Sequence, residues 1–165
     1  MKGLLSGILA MMAVLFVVAC GEDETKETEM TNKQWSQEKS GITQYDAIVY
    51  CEDLVEEGHD DWRLPTISEL RSLIKDCSKT ALGGSCRASD GCLSSSCWSF
   101  DCDGCPEEEE DVTHSRLDDS SEFWSSSLVS ELPDMAWEIF FQNGGVYHAN
   151  RDDEINARCV RDAGT

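Results

Sequence analysis

The chain has 165 residues and carries a formal net charge of −20, from 13 basic and 33 acidic side chains. This length predicts one domain with attachments. The charge argues against nucleic acid, anionic membrane surfaces and sulfated polysaccharides as partners, because each of these repels a strongly acidic protein. Cationic partners, neutral sugars and divalent metal ions stay compatible with the composition, as does a charge that serves solubility alone.

The N-terminal residues predict export and attachment to a membrane. Lys2 precedes a run of apolar and small residues from Leu4 to Ala19. This run is shorter than the roughly 20 residues of a transmembrane helix and fits the apolar region of a secretory signal peptide. The next residue, Cys20, completes a Val-Val-Ala-Cys sequence that resembles the lipobox of bacterial lipoproteins. We therefore expect residues 1–19 to be a signal peptide and Cys20 to be lipidated; the alternative is an ordinary signal peptide followed by a chance cysteine.

Residues 20–33 are predicted to form a flexible acidic tether, because they are rich in Glu, Asp, Thr and Lys and contain too little apolar surface to fold. Gly21 occupies the position where an Asp tends to retain a Gram-negative lipoprotein at the inner membrane. Its presence favours the outer membrane, with the periplasmic or the extracellular face left open. The folded domain is then expected over residues 34–163.

The first predicted elements are a short edge strand at Trp35 and a helix that Thr43 can cap, with Asp46 as the partner acid. Gly58 is the predicted C-terminal stop of that helix. One face of the helix carries, at the spacing i, i+3, i+4 and i+7, the residues Ala47, Tyr50, Cys51 and Leu54. We expect this face to pack against the rest of the domain.

A sharp corner in the chain is predicted around Pro65. This residue biases Leu64 toward an extended backbone. The side chains of Trp62 and Leu64 should then point to one side and that of Arg63 to the other. A corner with a tryptophan at this place is expected to define the geometry of the domain.

A second helix is predicted directly after the corner. Thr66 can cap it, with Glu69 three residues on to complete a capping box. The helix is expected to run from Ile67 to about Lys75. Its apolar face, at helical spacing, consists of Ile67, Leu70, Leu73 and Ile74.

Residues 76–122 show no hydrophobic period and are predicted to be a loop insertion. The segment is rich in Gly, Ser and Asp and contains the acidic run Pro106–Asp111; so dense a run of like charges is normally solvated. A loop of this length is usually functional or disordered, and cross-links are what could order it. Its cysteines are Cys77, Cys86, Cys92, Cys97, Cys102 and Cys105.

The C-terminal part of the chain predicts antiparallel strands. Trp137, Ile139 and Phe141 alternate with their neighbours at strand spacing. The sequence Asn143-Gly144-Gly145 supplies the positive-φ residues of a tight hairpin turn. The last strand is expected at Ala157–Arg161.

Much of this sequence resembles the Lcl C-terminal domain family, an exported bacterial module. The similarity covers most of residues 35–75 and 123–162 and misses the segment between them. Its motif residues are Trp62, Arg63, Leu64, Pro65, Glu69, Trp124, Trp137 and Arg158. We expect the three tryptophans to be core residues rather than a sugar platform.

This family is allied to the C-type-lectin-like fold, together with the formylglycine-generating enzymes. The resemblance therefore implies an α+β, C-type-lectin-like fold, with two helices packed on small antiparallel sheets and a long disulfide-rich loop insertion. Kinship of this kind predicts architecture more safely than function.

The nine cysteines predict a disulfide framework, because an even number remains once Cys20 carries lipid. The resemblance implies that Cys51 pairs with Cys159. The pairing within the insertion stays open, and local pairs such as Cys77 with Cys86 are favoured over long ones. Export also favours oxidation of these thiols.

Two metals are alternatives to consider for the insertion. Zinc would need closely spaced cysteine pairs, and only Cys102 and Cys105 have that spacing. A calcium pattern that lacks the first Asp and the flanking helices of an EF-hand is formed by Ser99, Asp101, Asp103, Gly104 and Glu110. Loose calcium binding by the acidic loop stays open, and we expect no other cofactor.

Catalysis finds little support, because no histidine of the chain lies in a recognisable nucleophile motif. Trp98 and Phe100 in the insertion are candidate ligand contacts, since exposed aromatic rings among polar residues commonly bind a sugar or a peptide. The sequence therefore predicts a non-catalytic binding module at the cell surface that recognises glycan or protein. A structural envelope lipoprotein without a small ligand is the alternative, and an enzyme related to the formylglycine-generating fold is the third hypothesis.

Overall fold

The computed structural model describes residues 32–105 and 113–164, which form an α+β domain. These residues contain the helices α1 (Gln44–Glu52) and α2 (Ile67–Ser72) and two short 3₁₀ helices, Ser95–Cys97 and Phe100–Cys102. The strands are β1 (Lys33–Trp35), β2 (Lys39–Ile42), β3 (Glu122–Val129), β4 (Leu132–Phe140), β5 (Gly145–Asn150), β6 (Ile155–Ala157) and β7 (Val160–Asp162). None of the helices in this part of the chain has the length and apolar character that a bilayer crossing requires.

Several sequence-based predictions lie outside the described residues. They are the signal peptide at 1–19, the lipidation of Cys20, most of the tether and the acidic run Pro106–Asp111. All four stay predictions.

β3, β4 and β5 form an antiparallel meander at one side of a five-stranded sheet with the order β2-β6-β3-β4-β5. β6 pairs in parallel with β3 and antiparallel with β2. β1, which contains Trp35, forms a separate two-stranded sheet with β7. The β4–β5 hairpin turns at residues 143–145, where Gly144 has a φ of +65°, which is the positive-φ turn that the sequence predicts.

Both helices begin where their capping residues predict. The Thr43 side chain accepts a hydrogen bond from the backbone N–H of Asp46. Thr66 and Glu69 form a complete capping box, in which each side chain accepts from the backbone N–H of the other residue.

Both helices end earlier than the sequence predicts. α1 ends at Glu52, and Gly58 lies in a separate tight turn with a φ of +82°. α2 ends at Ser72 rather than near Lys75, because the residues that follow pair through their backbone with residues 114–115. Tertiary backbone pairing thus replaces the last predicted turn of α2.

The five-stranded sheet carries an apolar cluster on each face. One cluster combines α2 with strand residues and includes Ile67, Leu70, Phe123, Trp137 and Ile139. The other combines α1 with the corner and includes Ala47, Cys51, Trp62, Leu64, Trp124 and Ala136. Phe123 and Trp124 are successive residues of β3, so their side chains point to opposite faces. The sheet is therefore covered on both faces.

The corner at Pro65 carries the chain from one cluster to the other. Trp62 and Leu64 are buried with α1, whereas Ile67, two residues after Pro65, is buried with α2. The Arg63 side chain points away and is partly exposed. The alternation that the sequence predicts around Pro65 is confirmed.

The two ends of the domain are tied together at β7. Cys51 on α1 forms a disulfide with Cys159, the pairing that the resemblance implies. The backbones of Arg63 and Val160 exchange two hydrogen bonds of 3.0 and 2.8 Å. The first strand of the described chain also pairs with β7, so corner, first strand and first helix all meet the closing strand.

The predicted last strand at 157–161 is wrong, because it is two strands with a break between them. The backbone N–H of Cys159 donates to Oγ of Ser36 at 2.8 Å, and the N–H of Ser36 donates to the carbonyl O of Cys159 at 3.0 Å. Cys159 therefore pairs with the segment after β1, while β6 and β7 belong to different sheets.

Within the described residues, three disulfides order the insertion: Cys77–Cys105, Cys86–Cys102 and Cys92–Cys97. The predicted local pair of Cys77 with Cys86 is wrong. The N–H of Cys105 donates to the carbonyl O of Asn143 at 2.8 Å, and the Cys77 side chain packs against Gly144. The β4–β5 turn therefore brings the first and the last cysteine of the insertion together.

Replacing both Cys51 and Cys159 by alanine is expected to lower the free energy of unfolding by about 4–5 kcal/mol in the chain-entropy estimate, because this disulfide closes a sequence separation of 108 residues. The matched control replaces Cys92 and Cys97, which are separated by 5 residues, with an expected loss of about 2 kcal/mol. Guanidinium denaturation followed by circular dichroism measures both losses. Equal losses would contradict a dominant role for closure of the chain ends.

Candidate functional site

The insertion wraps around the outer edge of β5, which is the last strand in the sheet order. The indole N–H of Trp98 donates to the carbonyl O of Val146 at 3.0 Å. The Tyr147 hydroxyl donates to the carbonyl O of Asp103, also at 3.0 Å. Edge strands present backbone groups that seek partners, so these contacts cover the edge and fix the insertion on the sheet.

Two glycines allow this close approach. A Cβ at Gly104, whose φ is +80°, would overlap the carbonyl O of Asn143, and a Cβ at Gly145 would overlap the Tyr147 ring. A larger residue at position 104 would push the insertion away from the β4–β5 turn. A larger residue at position 145 would displace the Tyr147 ring, whose hydroxyl donates to Asp103 of the insertion.

Trp98 and Phe100, which we call the aromatic pair, lie on this insertion. Phe100 is 82% exposed, whereas Trp98 is half-buried. Their ring centroids are 6.0 Å apart at an interplanar angle of 59°. Phe100 begins the 3₁₀ helix that ends at Cys102, and Cys102 is bonded to Cys86. The exposed ring is therefore carried by a backbone that a disulfide constrains.

Hydrogen bonds at Asp90 and Ser95 attach an earlier part of the insertion to the scaffold. Asp90 accepts a hydrogen bond of 2.8 Å from the Thr66 hydroxyl, and its own N–H donates to the Ser68 hydroxyl at 2.9 Å. Glu131, in the β3–β4 turn, accepts from the N–H of Ser95 at 2.7 Å. The insertion is thus attached to the start of α2 and to both ends of β4.

The tryptophans of the family motif are core residues. Trp62, Trp124 and Trp137 are at most 4% exposed. Each indole N–H donates to a backbone carbonyl, those of His59, Ile42 and Leu93 in turn. Buried rings with bonded N–H groups are closed to a ligand, so these side chains serve the scaffold.

Glu69 is the centre of an ion-pair cluster beside the corner. Its carboxylate accepts two hydrogen bonds of 2.6 Å from the Arg63 guanidinium and one of 2.9 Å from the N–H of Thr66. The ammonium of Lys33 lies 2.9 Å from it. Burial raises the pKa of Glu69, but the hydrogen bonds from Arg63, Thr66 and Lys33 outweigh burial and hold this pKa at about 2. The cluster joins β1, the corner and α2.

Arg158, Leu64 and Pro65 also have structural positions. The Arg158 guanidinium donates to both carboxylate oxygens of Asp119, at 2.6 to 3.1 Å, and to the carbonyl O of Ser36 at 2.6 Å. It therefore joins the end of the insertion to the closing strands. Leu64 and Pro65 are buried at the corner.

Arg71 anchors the start of the insertion, a role that sequence analysis misses. Its side chain is 2% exposed, and burial lowers its pKa. The guanidinium donates to three backbone carbonyls, those of Thr80, Ala81 and Ala88. The sequence does contain a signal for burial of Arg71, because helical spacing places this residue on the same face of α2 as Ile67 and Ile74.

Glu138 is the second polar residue that sequence analysis misses. It is 8% exposed, and among the described residues its Oε2 has no hydrogen-bond partner. Burial, together with the charges of Glu122 and Asp153, raises its pKa to about 7. A buried carboxyl oxygen without a donor is rare in folded proteins and calls for a physical reason.

Neither metal hypothesis is supported by a preformed site among the described residues. In residues 32–105 and 113–164, no three His, Cys, Asp or Glu side chains are grouped so that they could hold a metal ion. Cys102 and Cys105 belong to two different disulfides, whereas a zinc site would need them as free thiolates. Glu110 of the calcium pattern lies outside the described residues, and loose calcium binding stays a prediction.

The fold and these contacts define a class of protein: a small, disulfide-stabilised α+β domain that presents a constrained insertion at the edge of its sheet. The model of the Lcl C-terminal domain family matches residues 24–161. The chain belongs to this family, which confirms the resemblance. A search of curated proteins finds no significant match.

Arg71→Met is expected to lower the free energy of unfolding by about 3–5 kcal/mol, because each buried carbonyl left without a donor costs about 1–3 kcal/mol. Arg71→Lys should recover only part of this loss, since an ammonium lacks the planar fork that reaches several carbonyls. Arg116→Met, at an exposed arginine, is the control. Urea denaturation measures all three variants, and a loss no larger than that of the control would contradict the anchoring role.

Glu69→Gln is expected to remove an acid-sensitive part of the stability. Because the folded-state pKa of about 2 lies below the ordinary value of 4.5, the contribution is present above about pH 4.5 and is lost as the pH falls toward 2. At neutral pH we expect a cost of about 1–2 kcal/mol, since the Arg63 side of the ion pair is open to solvent.

Urea midpoints of the wild type and Glu69→Gln, measured at several pH values, test this dependence. The difference between them should disappear toward pH 2. Glu52→Gln, at an exposed position of α1, is the control and should show little difference throughout. A difference between wild type and Glu69→Gln that does not depend on pH would show that the carboxylate charge is not what stabilises.

Proposed function

We propose that this chain is a non-catalytic, extracellular binding module of C-type-lectin-like architecture, and that its contact surface is the aromatic pair. The observation that carries the proposal is the position of Phe100, which is 82% exposed on a disulfide-constrained backbone. A ring that is already held in place loses little freedom on binding, so its contact energy is available for affinity.

A neutral glycan is the ligand that these features favour. The apolar face of a sugar ring packs on an aromatic ring, while polar neighbours bond its hydroxyl groups. Asp101 is exposed next to Phe100, and the hydroxyl of Ser99 lies at the start of the same 3₁₀ helix. The net charge of −20 disfavours anionic glycans. A protein ligand is the other outcome of the test below.

The proposal places the domain outside the cytoplasm, held at the outer membrane by lipid on Cys20 and by a tether that ends before β1, since Lys33 already belongs to that strand. The disulfides of the described residues support export, because such cross-links form and persist in oxidising compartments. The proposal involves no catalytic step, since its contact surface is an exposed apolar ring and not a set of convergent reactive groups.

A glycan array probed with the purified lipid-free protein, followed by calorimetric titration of the best-binding glycan, tests the proposal. Phe100→Ser is expected to weaken this binding by about tenfold or more, because loss of a central aromatic contact typically costs on the order of 2 kcal/mol. Val55→Ser is the matched control, since Val55 is apolar, 72% exposed and outside the insertion. Its affinity should equal that of the wild type.

Three other results would redirect the proposal. Equal affinity of Phe100→Ser and the wild type would show that the aromatic pair is not the contact surface. Specific capture of a protein that Phe100→Ser loses, with no signal on the glycan array, would change the ligand class to protein. Silence of the wild type in both experiments would favour the structural envelope role.

A further inference from the structure

Glu138 lies in the middle of β4, where its strand partners are Trp124 in β3 and Tyr147 in β5. Directly opposed residues of antiparallel strands point to the same face and lie in contact range. Burial raises the pKa of Tyr147, and the charges of Asp103 and Glu138 raise it further. Glu138 and the Tyr147 hydroxyl are therefore within electrostatic reach of each other.

Ionisation of Glu138 is unfavourable at this position. Within the described chain its Oε2 accepts no hydrogen bond, and the charges that act on it are negative: Glu122 on β3 and Asp153 in the turn between β5 and β6. Burial and these two carboxylates raise the pKa of Glu138 to about 7. The side chain therefore changes its charge near neutral pH, where an exposed glutamate is already fully ionised.

Tyr147 connects Glu138 to the insertion. Its hydroxyl donates to the carbonyl O of Asp103 at 3.0 Å and accepts from Nδ2 of Asn143 at 3.1 Å. Asp103 closes the 3₁₀ helix of the aromatic pair, because its N–H donates to the carbonyl O of Phe100 at 3.4 Å. A displacement of Tyr147 would remove one of the contacts that hold the backbone that presents Phe100, so this backbone would become looser while its disulfide stays intact.

We propose that protonation of Glu138 regulates the insertion surface, which is held in its binding form at mildly acidic pH and loosens when this carboxyl group ionises. A carboxylate formed between β3 and β5 must be solvated, because its Oε2 has no hydrogen-bond donor among the described residues. β5 is the outer strand of the sheet, and its partly exposed Tyr147 is the side chain that faces Glu138, so we expect water to reach the carboxylate by displacing Tyr147. This regulation rests on the proposed function, since the regulated surface contains the aromatic pair.

Ionisation of Glu138 is also expected to lower the stability of the domain, in the same pH range in which it loosens the insertion. The folded-state pKa of Glu138 lies above the ordinary value of 4.5, so the folded state holds an extra proton between about pH 4.5 and 7. The contribution of Glu138 to stability is therefore highest below this window, declines through it and stays low above it. The contribution of Glu69 is lost only below about pH 4.5, so the two effects occupy separate pH ranges.

Hydrogen exchange of the backbone amides of residues 100–105 tests the regulation without any ligand. Protection factors, which are corrected for the chemical pH dependence of exchange, should fall by about tenfold in the wild type between about pH 5.5 and 8.5. In Glu138→Gln, which keeps the shape of the side chain and cannot ionise, they should stay constant. Glu52→Gln, an exposed control, should behave as the wild type.

Unchanged protection in the wild type, or the same fall in Glu138→Gln, would overturn the proposal. A second measurement needs no variant: a carbon-13 NMR titration of the Glu138 side-chain carboxyl should give a midpoint of about 7. A midpoint below about 5 would equally overturn it, because the carboxyl group would then be ionised throughout the physiological range.

The binding experiment uses the glycan that the array identifies. The affinity of the wild type should fall by about tenfold over the same pH interval, while that of Glu138→Gln stays constant. Exchange that depends on pH, in a protein that binds neither a glycan nor a protein ligand, would reject the proposed function and leave the coupling between Glu138 and the insertion intact. Binding that Phe100→Ser loses but pH does not change would reject the regulation and leave the proposed function intact.

Discussion

The rest of the structure depends on one constraint: the two ends of the domain are joined to each other at β7. A scaffold this small buries a limited apolar core, so a cross-link that removes freedom from the unfolded chain contributes a large share of its stability. The Cys51–Cys159 disulfide supplies that cross-link. Arg63 pairs with β7 through its backbone and holds Glu69 through its side chain. The same closure therefore also positions α2.

Residues 76–105 of the insertion are attached to this frame at several points, so this part of the insertion forms a defined surface. Arg71 holds its first part through backbone carbonyls, and Asp90 bonds to the start of α2. Trp98 closes it against the edge of β5. Phe100 lies between Trp98 and the Cys86–Cys102 disulfide, so it projects from a backbone that is held on both sides. Glu138 faces Tyr147, whose hydroxyl donates to the carbonyl O of Asp103 in the same segment.

Local chemistry explains which parts of the fold are predictable. Thr43 and Thr66 start their helices because a hydroxyl that bonds the first free N–H groups acts within a few residues. The positive-φ turn at Gly144 is equally local. The end of α2 and the break at Cys159 were predicted wrongly, because the backbone groups there bond to segments that are distant in the chain.

The sequence by itself determined the capped helices, the corner with its buried tryptophan, the family and the expectation of disulfides, because each of these depends on residue types at short spacing. Only the tertiary structure decided that Cys77 pairs with Cys105, that the guanidinium of Arg71 is buried among carbonyls, and that Glu138 lies between acidic neighbours. These features depend on distances between residues far apart in the chain. Such distances exist only after the sheet has formed and the insertion has folded back against β5.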